Sequence, residues 1–233
     1  SNCYNYGKIT GNKSIGGIYG YVSKGKLKNM FNCGEIIGNE YVGGICGEGA
    51  EIQYSYNTGN ISAKNRFAGG IDSKMHCYNT GTIRAESEYA GAIAGYSGNN
   101  FSGTITKFNY NVGNISSNSA KFGGILGRSG YQPDMSNNYY LIGTASKGIG
   151  ETYNNTAISS TATTAMSHSQ MQKLVSSLGK ENWKNDIGIN NGLPILSWQT
   201  NNDKLNLING NNAFVEDTKG INNGYPILRW QAK

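Results

Sequence analysis

Apolar and aromatic positions recur at fixed distances from a set of glycines over the first 150 residues. An aromatic residue stands three positions before each glycine, and an isoleucine stands two positions after each of the first five. The glycines are Gly7, Gly34, Gly59, Gly81, Gly113 and Gly143. A second phrase begins nine or ten residues later and reads GGIYG, GGICG, GGIDS, GAIAG and GGILG. Repetition at a period of roughly 20 to 50 residues is typical of solenoids and other arrays.

The aligned copies form columns of similar residues that predict a stacked fold. The aromatic column holds Tyr4, Phe31, Tyr56, Tyr78, Tyr110 and Tyr140. The asparagine column, two positions before the glycine, holds Asn5, Asn32, Asn57, Asn79 and Asn111, with Leu141 in the last copy. One copy is too small to bury a ring and two isoleucines, whereas stacked copies share a continuous core. We expect the rings to form a buried ladder and the asparagines to lie in one row at a turn.

The residue types favour strands over helices. The phrases are short, β-branched and interrupted by glycine, while a helix needs a periodic run of about ten or more residues. Glycine suits the tight bends at the corners of a coil. The predicted fold is therefore all-β, a parallel β-helix (solenoid) of about five to six coils and about 25 to 30 Å in length.

The two phrases also point to a known family. The Gly-Gly-Ile-x-Gly phrase and the preceding Cys/Ser-Tyr-Asn-x-Gly-x-Ile phrase cover about residues 2–150. They resemble the GLUG repeat of large secreted and wall-attached bacterial proteins, including the non-catalytic upstream regions of immunoglobulin A metallopeptidases. The resemblance implies a right-handed parallel β-helix in an extracellular or cell-surface protein of a bacterium, without a common catalytic residue. Ala92 and the pair Asp72-Ser73 depart from the pattern, and the latter predicts an irregular or shortened coil near residues 71–76.

Beyond residue 150 the repeat stops. We expect a β-helix at 1–150, a linker with a capping helix and a strand unit at 151–199, and a second copy of that unit at 200–233. Ser167 and Gln170 have the spacing of a capping box, and Gly179 is a stop signal. Apolar residues between them, at helical spacing, are Met171, Leu174, Val175 and Leu178. We predict one α-helix that packs on the open end of the coil, where core and strand edges would otherwise be exposed.

A second duplication closes the chain. The sequence INNGLPILSWQ at 189–199 returns as INNGYPILRWQ at 221–231, with Trp183 and Phe214 upstream. Asn-Asn-Gly predicts a turn, and the proline opens a strand at a position that needs no backbone donor. We expect the first copy to close the solenoid and the second to add a strand or a small terminal unit.

Charge limits the classes of partner. The net charge is +6, and the basic residues are scattered apart from Lys24, Lys26 and Lys28. Proteins that bind nucleic acid concentrate positive charge on one face, so we expect no nucleic acid partner. The sequence contains no run of eighteen apolar residues, so we expect no membrane insertion. We interpret the chain as part of a longer exported protein that is monomeric in isolation.

The search for chemistry finds few candidates. His76 and His168 lie in unrelated contexts, and His76 shares a column with Tyr54 and Phe108 that favours packing. We expect no catalytic residue, no cofactor and no metal site, because carboxylates are scattered and calcium or zinc motifs are missing from the sequence. The four cysteines, Cys3, Cys33, Cys46 and Cys77, are expected to be free and mostly buried thiols.

Two function classes follow. The first is a non-catalytic extracellular module, a stalk or adhesin that presents a surface to a host protein, a glycan or another cell. The alternative is a carbohydrate-active β-helix enzyme or its accessory sugar-binding domain. The spacers vary in length from coil to coil, as recognition loops do. The candidate binding residues are Lys24, Lys26, Lys28, Tyr96, Phe101, Arg128 and Tyr131.

Overall fold

The structure, a computed structural model, describes residues 3–49, 51–97, 105–130 and 133–199, together with the strands Phe214–Val215 and Ile227–Leu228. Short parallel strands stack from coil to coil between residues 3 and 166. The chain is therefore a parallel β-helix, as the repeat columns predict.

Each coil contributes strands to several parallel sheets. In the described chain, the tyrosine sheet has the strands Cys3–Asn5, Met30–Asn32, Tyr56–Asn57, Tyr78–Asn79, Tyr110–Asn111, Asn138–Leu141 and Thr163–Met166. The isoleucine sheet has Ile9–Thr10, Ile36–Gly38, Ile61–Ala63, Ile83–Ala85 and Ile115–Ser117. The glycine sheet has Lys13–Gly16, Glu40–Gly43, Ala68–Gly69, Ala90–Gly91 and Phe122–Gly123. The lysine sheet has Lys26–Lys28, Glu51–Gln53, Ser73–Met75, Ile105–Lys107 and Asp134–Ser136.

The phrase after each glycine pair forms shorter sheets. Tyr19–Tyr21 pairs with Cys46–Glu48, and a separate sheet contains Ala94–Ser97, Leu126–Ser129 and Ile149–Glu151. The described tyrosine sheet spans six steps between its seven strands, and at about 4.8 Å per step the coil is about 29 Å long. The number of coils agrees with the prediction.

The third coil is short, as the Asp72-Ser73 departure predicts. Successive asparagines of the column are 27, 25, 22 and 32 residues apart. The shortest interval runs from Asn57 to Asn79, and within the described part of this coil no strand joins Cys46–Glu48 to Ala94–Ser97. The lysine sheet also shifts register where this coil meets the preceding one, because Ile52 pairs with Ser73 whereas Gln53 pairs with Met75.

The predicted asparagine row forms a continuous hydrogen-bonded ladder. Each side-chain amide donates to the side-chain oxygen of the next coil, over distances of 2.7 to 2.9 Å from Asn5 to Asn111. Each amide also donates to the carbonyl oxygen of the glycine two residues later, as Asn57 does to Gly59 at 2.8 Å. The ladder therefore satisfies polar groups that the turn would otherwise bury without partners.

The interior is built from the isoleucine columns. One buried cluster joins Met30, Ile45 and Ile52, which come from different sides of the same coil, and continues into later coils. Another joins Ile36 and Val42 of the isoleucine and glycine sheets. Because these clusters contain side chains from facing walls, they lie inside the coil.

The aromatic ladder lies on the outer face of the coil. The repeat columns instead predicted that the rings share one core with the isoleucines. In the strand Met30–Asn32 the first and last residues, Met30 and Asn32, point into the coil. Phe31 between them therefore points outwards, because neighbours on a strand point to opposite faces. The rings of Phe31, Tyr56, Tyr78 and Tyr110 stack at 4.9 to 5.0 Å and are nearly parallel. All four are at most 3% exposed, so another segment covers them.

The sixth ring of the ladder is Tyr139, and the prediction of Tyr140 is wrong. Tyr110 pairs in register with Tyr139, while Asn111 pairs with Tyr140, whose ring packs in the interior. The turn after this strand contains one additional residue, with Gly143 at φ +92°. Alignment on Gly143 therefore shifts the aromatic column by one residue.

Residues 167–199 form a clasp along the outer face of the tyrosine sheet. Met171, Leu174, Leu178, Trp183 and Leu196 pack in one cluster with the ring ladder. The clasp contains the helices His168–Met171 and Val175–Leu178, the antiparallel pair Trp183–Asn185 with Pro194–Leu196, and the 3-10 turn Asn190–Gly192. The predicted apolar stripe and tryptophans do share a cluster, but they cover the side of the coil as well as its last strands.

The prediction of one continuous capping helix needs correction. The capping box of Ser167 and Gln170 is present, but helical structure divides after Met171 and resumes at Val175. Between these points the backbone bonds from Lys173 and Leu174 reach back three residues rather than four, which tightens the turn. The coil also extends past residue 150, because Thr163–Met166 pairs with Asn138–Leu141.

The duplicated tail units share a backbone register. Trp183 pairs with Leu196 in the first unit, and Phe214 pairs with Leu228 in the second. The four cysteines form no disulfide in the described chain; Cys46 and Cys77 are buried, Cys3 is half-buried and Cys33 is exposed.

Candidate binding groove

An aromatic column borders a groove on the outer face of the glycine sheet. Tyr41, Phe67 and Tyr89 each stand two residues before the strand-ending glycine, so the parallel register brings them together. The ring centroids are 5.1 Å apart from Tyr41 to Phe67 and 5.7 Å apart from Phe67 to Tyr89. Tyr89 is buried, whereas Tyr41 and Phe67 are half-buried.

Charges of alternating sign form a neighbouring column. Lys13 pairs in register with Glu40, and Arg66 lies 3.7 Å from Glu88 in the next coil. The Arg66 guanidinium also donates to the Tyr41 hydroxyl at 2.8 Å and lies over the rings of Tyr41 and Phe67. The interaction with Tyr41, followed by that with Glu88, raises the pKa of Arg66, so its positive charge is permanent.

The opposite wall centres on Arg128. Tyr96 pairs in register with Arg128, and the guanidinium lies 5.5 to 5.8 Å from the ring centroids of Tyr89, Tyr96 and Tyr153. The Tyr96 ring also stacks on Phe67 at 5.1 Å, which connects the two walls. Burial raises the pKa of Tyr96, so its hydroxyl is neutral and can both donate and accept a hydrogen bond.

Glu151 fixes the cations at this end of the groove. It accepts a hydrogen bond from the Tyr89 hydroxyl at 2.8 Å and lies 3.2 Å from Lys121 Nζ and 3.4 Å from Arg128 Nε. Partial burial opposes ionisation of Glu151, but the bonds from Tyr89 and Lys121 and the charge of Arg128 outweigh it and lower the pKa. Glu151 is therefore a carboxylate at neutral pH.

The groove continues towards the first coils. Its volume is about 1260 Å³, and its floor follows glycines such as Gly47 and Gly95. A side chain at Gly95 would collide with the backbone of Ala68 at 2.8 Å, so these glycines are required by the close packing of strands. Other polar lining residues at this end are Lys24, Lys26, Glu48, Glu51 and Asp72. None of the described residues of the clasp lines the groove.

The structure brings four of the predicted binding residues into this one groove. They are Lys24, Lys26, Tyr96 and Arg128. Lys28 lies elsewhere, with its ammonium over the ring of Tyr54 at 5.4 Å. Phe101 and Tyr131 fall outside the described residues. Their assignment as binding residues stays a prediction.

Sequence reasoning missed the ring and charge columns. An alignment on the glycine pair places Tyr41, Phe67, Tyr89 and Lys121 in one column, and Lys13, Glu40, Arg66 and Glu88 in the one before it. That alignment would have revealed both columns from the sequence.

In the described chain no group of three His, Cys, Asp or Glu side chains is placed to bind a metal ion. Nor does any described helix have the length and apolar character to cross a membrane.

The fold has a solved bacterial counterpart. A crystal structure from Bacteroides ovatus, described as a "putative immunoglobulin A1 protease", matches with a TM-score of 0.55 and 16% sequence identity. The match covers 84% of this chain and 75% of that chain. At this identity it establishes a common fold. No protein-family model and no curated relative matches the sequence, so membership of the GLUG family stays a prediction.

Proposed function

We propose that this chain is a non-catalytic binding module of an extracellular bacterial protein and that it holds an extended ligand in the groove. The observation that carries the proposal is that one face of the coil is covered and another is open. The clasp covers the tyrosine sheet, while the ring and charge columns line an open groove on the glycine sheet. Concave sites that combine aromatic surface with a few fixed polar groups are typical of ligand binding.

The groove is held in place before any ligand arrives. Tyr89, Lys121 and Arg128 converge on Glu151, and Arg66 is fixed by Tyr41 and Glu88. Side chains that are already ordered lose less conformational entropy on binding. The neighbour from Bacteroides ovatus is a bacterial protein with the same fold, which supports a β-helix as a module of a bacterial protein.

The non-catalytic part of the proposal rests on the state of the acid at the centre of the network. A general acid in a glycosidase needs a raised pKa, so that it is protonated at neutral pH. The pKa of Glu151 is lowered instead, and its oxygens are committed to Tyr89, Lys121 and Arg128. A carboxylate in this state cannot act as the general acid, and its three contacts support a structural role.

A carbohydrate-active enzyme is the second candidate. It is favoured by Glu48, Glu51 and Asp72, which line the same groove at its other end. Glycoside hydrolysis uses a pair of carboxylates flanking the scissile bond. Product analysis of the ligands that bind would distinguish the two candidates, since turnover at rates on the order of 1 s⁻¹ or faster would contradict a non-catalytic module.

Binding measurements on an immobilised chain test the proposal directly. The panel would contain soluble polysaccharides of several charges and purified immunoglobulin A. We expect saturable binding to at least one member and its loss in the double variant Arg66→Ala/Arg128→Ala. The control Lys28→Ala changes a lysine that lies outside the groove. Binding that survives the double variant, or no binding to any member, would contradict the proposal.

A further inference from the structure

We propose that the groove binds an extended polypeptide segment of a partner protein, which occupies the position of a strand that the third coil omits. The segment should contain a glycine followed by lysine or arginine. This inference rests on the proposed function and deepens it by assigning the chemical class of the ligand. It is carried by the path of the third coil, by glycine contacts between two layers of strands and by the charge of Glu48.

The third coil is short because it omits one strand. In the second coil, six residues, 46–51, separate Ile45 from Ile52. In the third coil, Asp72 alone separates Ile71 from Ser73, the residue that pairs in register with Ile52. The omitted residues correspond to those that form the strand Cys46–Glu48 in the second coil.

Two strand edges border the position of the omitted strand. Cys46–Glu48 pairs with the first coil and Ala94–Ser97 pairs with the fifth, so within the described chain no strand pairs with the edge that each turns towards the third coil. Both strands line the groove. They lie two coil steps apart, about 9.6 Å, which is the distance that one added strand spans. Glu48 is half-buried and Gly49 is exposed, so the gap is open to solvent on this side.

A peptide in this gap would form main-chain hydrogen bonds on both sides. Peptides that add a strand to a sheet edge obtain much of their affinity from such bonds. In a parallel strand between two neighbours, successive N–H groups point to opposite neighbours. Each central N–H group of the peptide would therefore donate to one of the two edges.

Glycines in the neighbouring strands assign one residue of the peptide. A Cβ atom on Gly47 would lie 2.6 Å from the backbone nitrogen of Ile15, and one on Gly95 would lie 2.8 Å from the backbone of Ala68. The parallel register of the glycine sheet places Val42 between Ile15 and Ala68, and Val42 lines the groove. The peptide residue between Gly47 and Gly95 would therefore pack on the backbone at Val42. Glycine fits this close approach because it has no Cβ atom.

The next residue of the peptide would lie beside Glu48. In the same column of the neighbouring sheet, Arg128 pairs in register with Glu151 and lies 3.4 Å from its carboxylate. The Glu48 carboxylate accepts a hydrogen bond from Ser14 Oγ at 3.1 Å and forms no ion pair with any described residue. Opposite charges at facing positions of neighbouring strands stabilise the pairing, which favours lysine or arginine here.

Fluorescence anisotropy with the whole chain and labelled synthetic peptides tests the inference. The parent probe is GILGRSG, a copy of residues 124–130, because it contains a glycine followed by arginine. We expect saturable binding, and a probe with Gly127→Val should bind at least about tenfold more weakly because its Cβ atom does not fit. A scrambled peptide of the same composition is the control. Equal affinity of the parent, Gly127→Val and scrambled probes would overturn the inference.

Backbone methylation of the probe distinguishes a strand between two edges from a strand on one edge. N-methylation at Gly127 alone and at Arg128 alone removes N–H groups that point to opposite sides. Each change should weaken binding roughly tenfold, because each removes one hydrogen bond and leaves its acceptor unpaired. A loss at only one of these two consecutive positions would contradict insertion between two edges.

A charge exchange locates the peptide beside Glu48. Glu48→Arg in the chain should weaken binding of the parent probe roughly fivefold, and a probe with Arg128→Glu should recover that affinity. Lys28→Ala is the matched control and should bind like the parent chain, since this lysine lies outside the groove. Probe binding that is unchanged in Glu48→Arg would overturn the assignment of the peptide to this gap.

The two proposals fail in different ways. If no probe peptide binds, but a polysaccharide or immunoglobulin A binds and the double variant Arg66→Ala/Arg128→Ala abolishes that binding, the groove function stands and the strand inference falls. If neither the peptides nor the other ligands bind, both fall.

Discussion

The indole Nε1 of Trp183 donates a hydrogen bond of 3.2 Å to Nδ1 of His76, a residue 107 positions earlier in the chain. The imidazole is stacked between Tyr54 and Phe108 at 5.0 Å from each, which confirms its predicted packing role. Burial lowers the pKa of His76, although the charge of Glu181 opposes this. The bond therefore joins the clasp to the coil through a neutral histidine whose Nδ1 carries no proton.

This bond predicts that the fold weakens in mild acid. With a folded pKa below its usual value of about 6.5, His76 binds a proton more readily in the unfolded chain. The contribution of His76 to the free energy of unfolding is therefore complete above about pH 6.5. It is lost as the pH falls through 6.5 towards the lowered folded pKa. Each unit of difference is worth about 1.4 kcal/mol. Urea denaturation between about pH 8 and pH 5 measures the effect.

Two variants separate His76 from other titrating groups. His76→Phe places in this column the residue type already found at Phe108, which has a similar φ of +57°. It should remove most of the pH dependence in this range. His168→Gln changes the exposed histidine and should leave the dependence intact. Equal pH profiles for the parent chain and His76→Phe would contradict the prediction.

The hydroxyl of Tyr110 makes a second connection between coil and clasp. It donates to the carbonyl oxygen of Pro194 and accepts from the Asn190 side chain at 2.7 Å. Burial, followed by the neighbouring Tyr78, raises the pKa of Tyr110 well above its usual value, so the hydroxyl keeps its proton. Tyr110→Phe leaves both partners unsatisfied and should lower the free energy of unfolding by roughly 1 to 3 kcal/mol.

Tyr139→Phe is the matched control, because Tyr139 is the next ring of the same ladder. Its loss of a hydroxyl should cost distinctly less than the change at Tyr110. Chemical denaturation of both variants at one pH gives the comparison. Similar losses would show that the clasp bonds of Tyr110 add nothing.

Removal of the clasp should expose the ring ladder. A chain that ends at Met166 keeps every described strand of the tyrosine sheet but lacks the segment that buries Phe31, Tyr56, Tyr78 and Tyr110. Exposed aromatic surface of this extent promotes association. We expect this chain to aggregate or oligomerise in size-exclusion chromatography, and a chain that ends at Gln199 to remain monomeric. A stable, monomeric chain ending at Met166 would contradict this role of the clasp.

The fold follows from the sequence to the extent that columns define it. The glycine and asparagine columns predict strand positions and the amide ladder because identical residues stack only in register. The columns do not say which face of a strand is inside when both faces are buried. Phe31 and Met30 are adjacent and both buried, yet they face opposite sides of the wall. The outward-facing Phe31 is buried only because the clasp, which lies more than 130 residues later in the sequence, covers it.

The groove was harder to predict because its residues come from two alignments. Tyr96 and Arg128 stand out as members of irregular spacers, whereas Arg66 and Tyr89 belong to columns counted back from the glycine pair. Tyr89 and Arg128 meet at Glu151 only because the chain bends between the glycine sheet and the sheet that contains Ile149–Glu151. Spacing along a single strand contains no information about that bend.

The last prediction concerns the asparagine ladder at its central position, Asn57. Its amide nitrogen donates to Gly59 at 2.8 Å and to Asn79 at 2.7 Å, and its oxygen accepts from Asn32 at 2.8 Å. Asn57→Asp keeps the shape but replaces two donors with a buried negative charge that faces two acceptors. It should cost roughly 3 kcal/mol or more at neutral pH.

The acid dependence of Asn57→Asp follows from the same geometry. Burial and the facing oxygens would raise the pKa of the new carboxyl, and the protonated form regains one donor. Stability should therefore recover as the pH falls through that raised pKa, in contrast to the loss associated with His76. Asn5→Asp, at the half-exposed end of the ladder, is the control and should cost much less because water can solvate the charge. Equal losses at both positions, measured by urea denaturation, would mean that burial of the ladder does not determine its contribution.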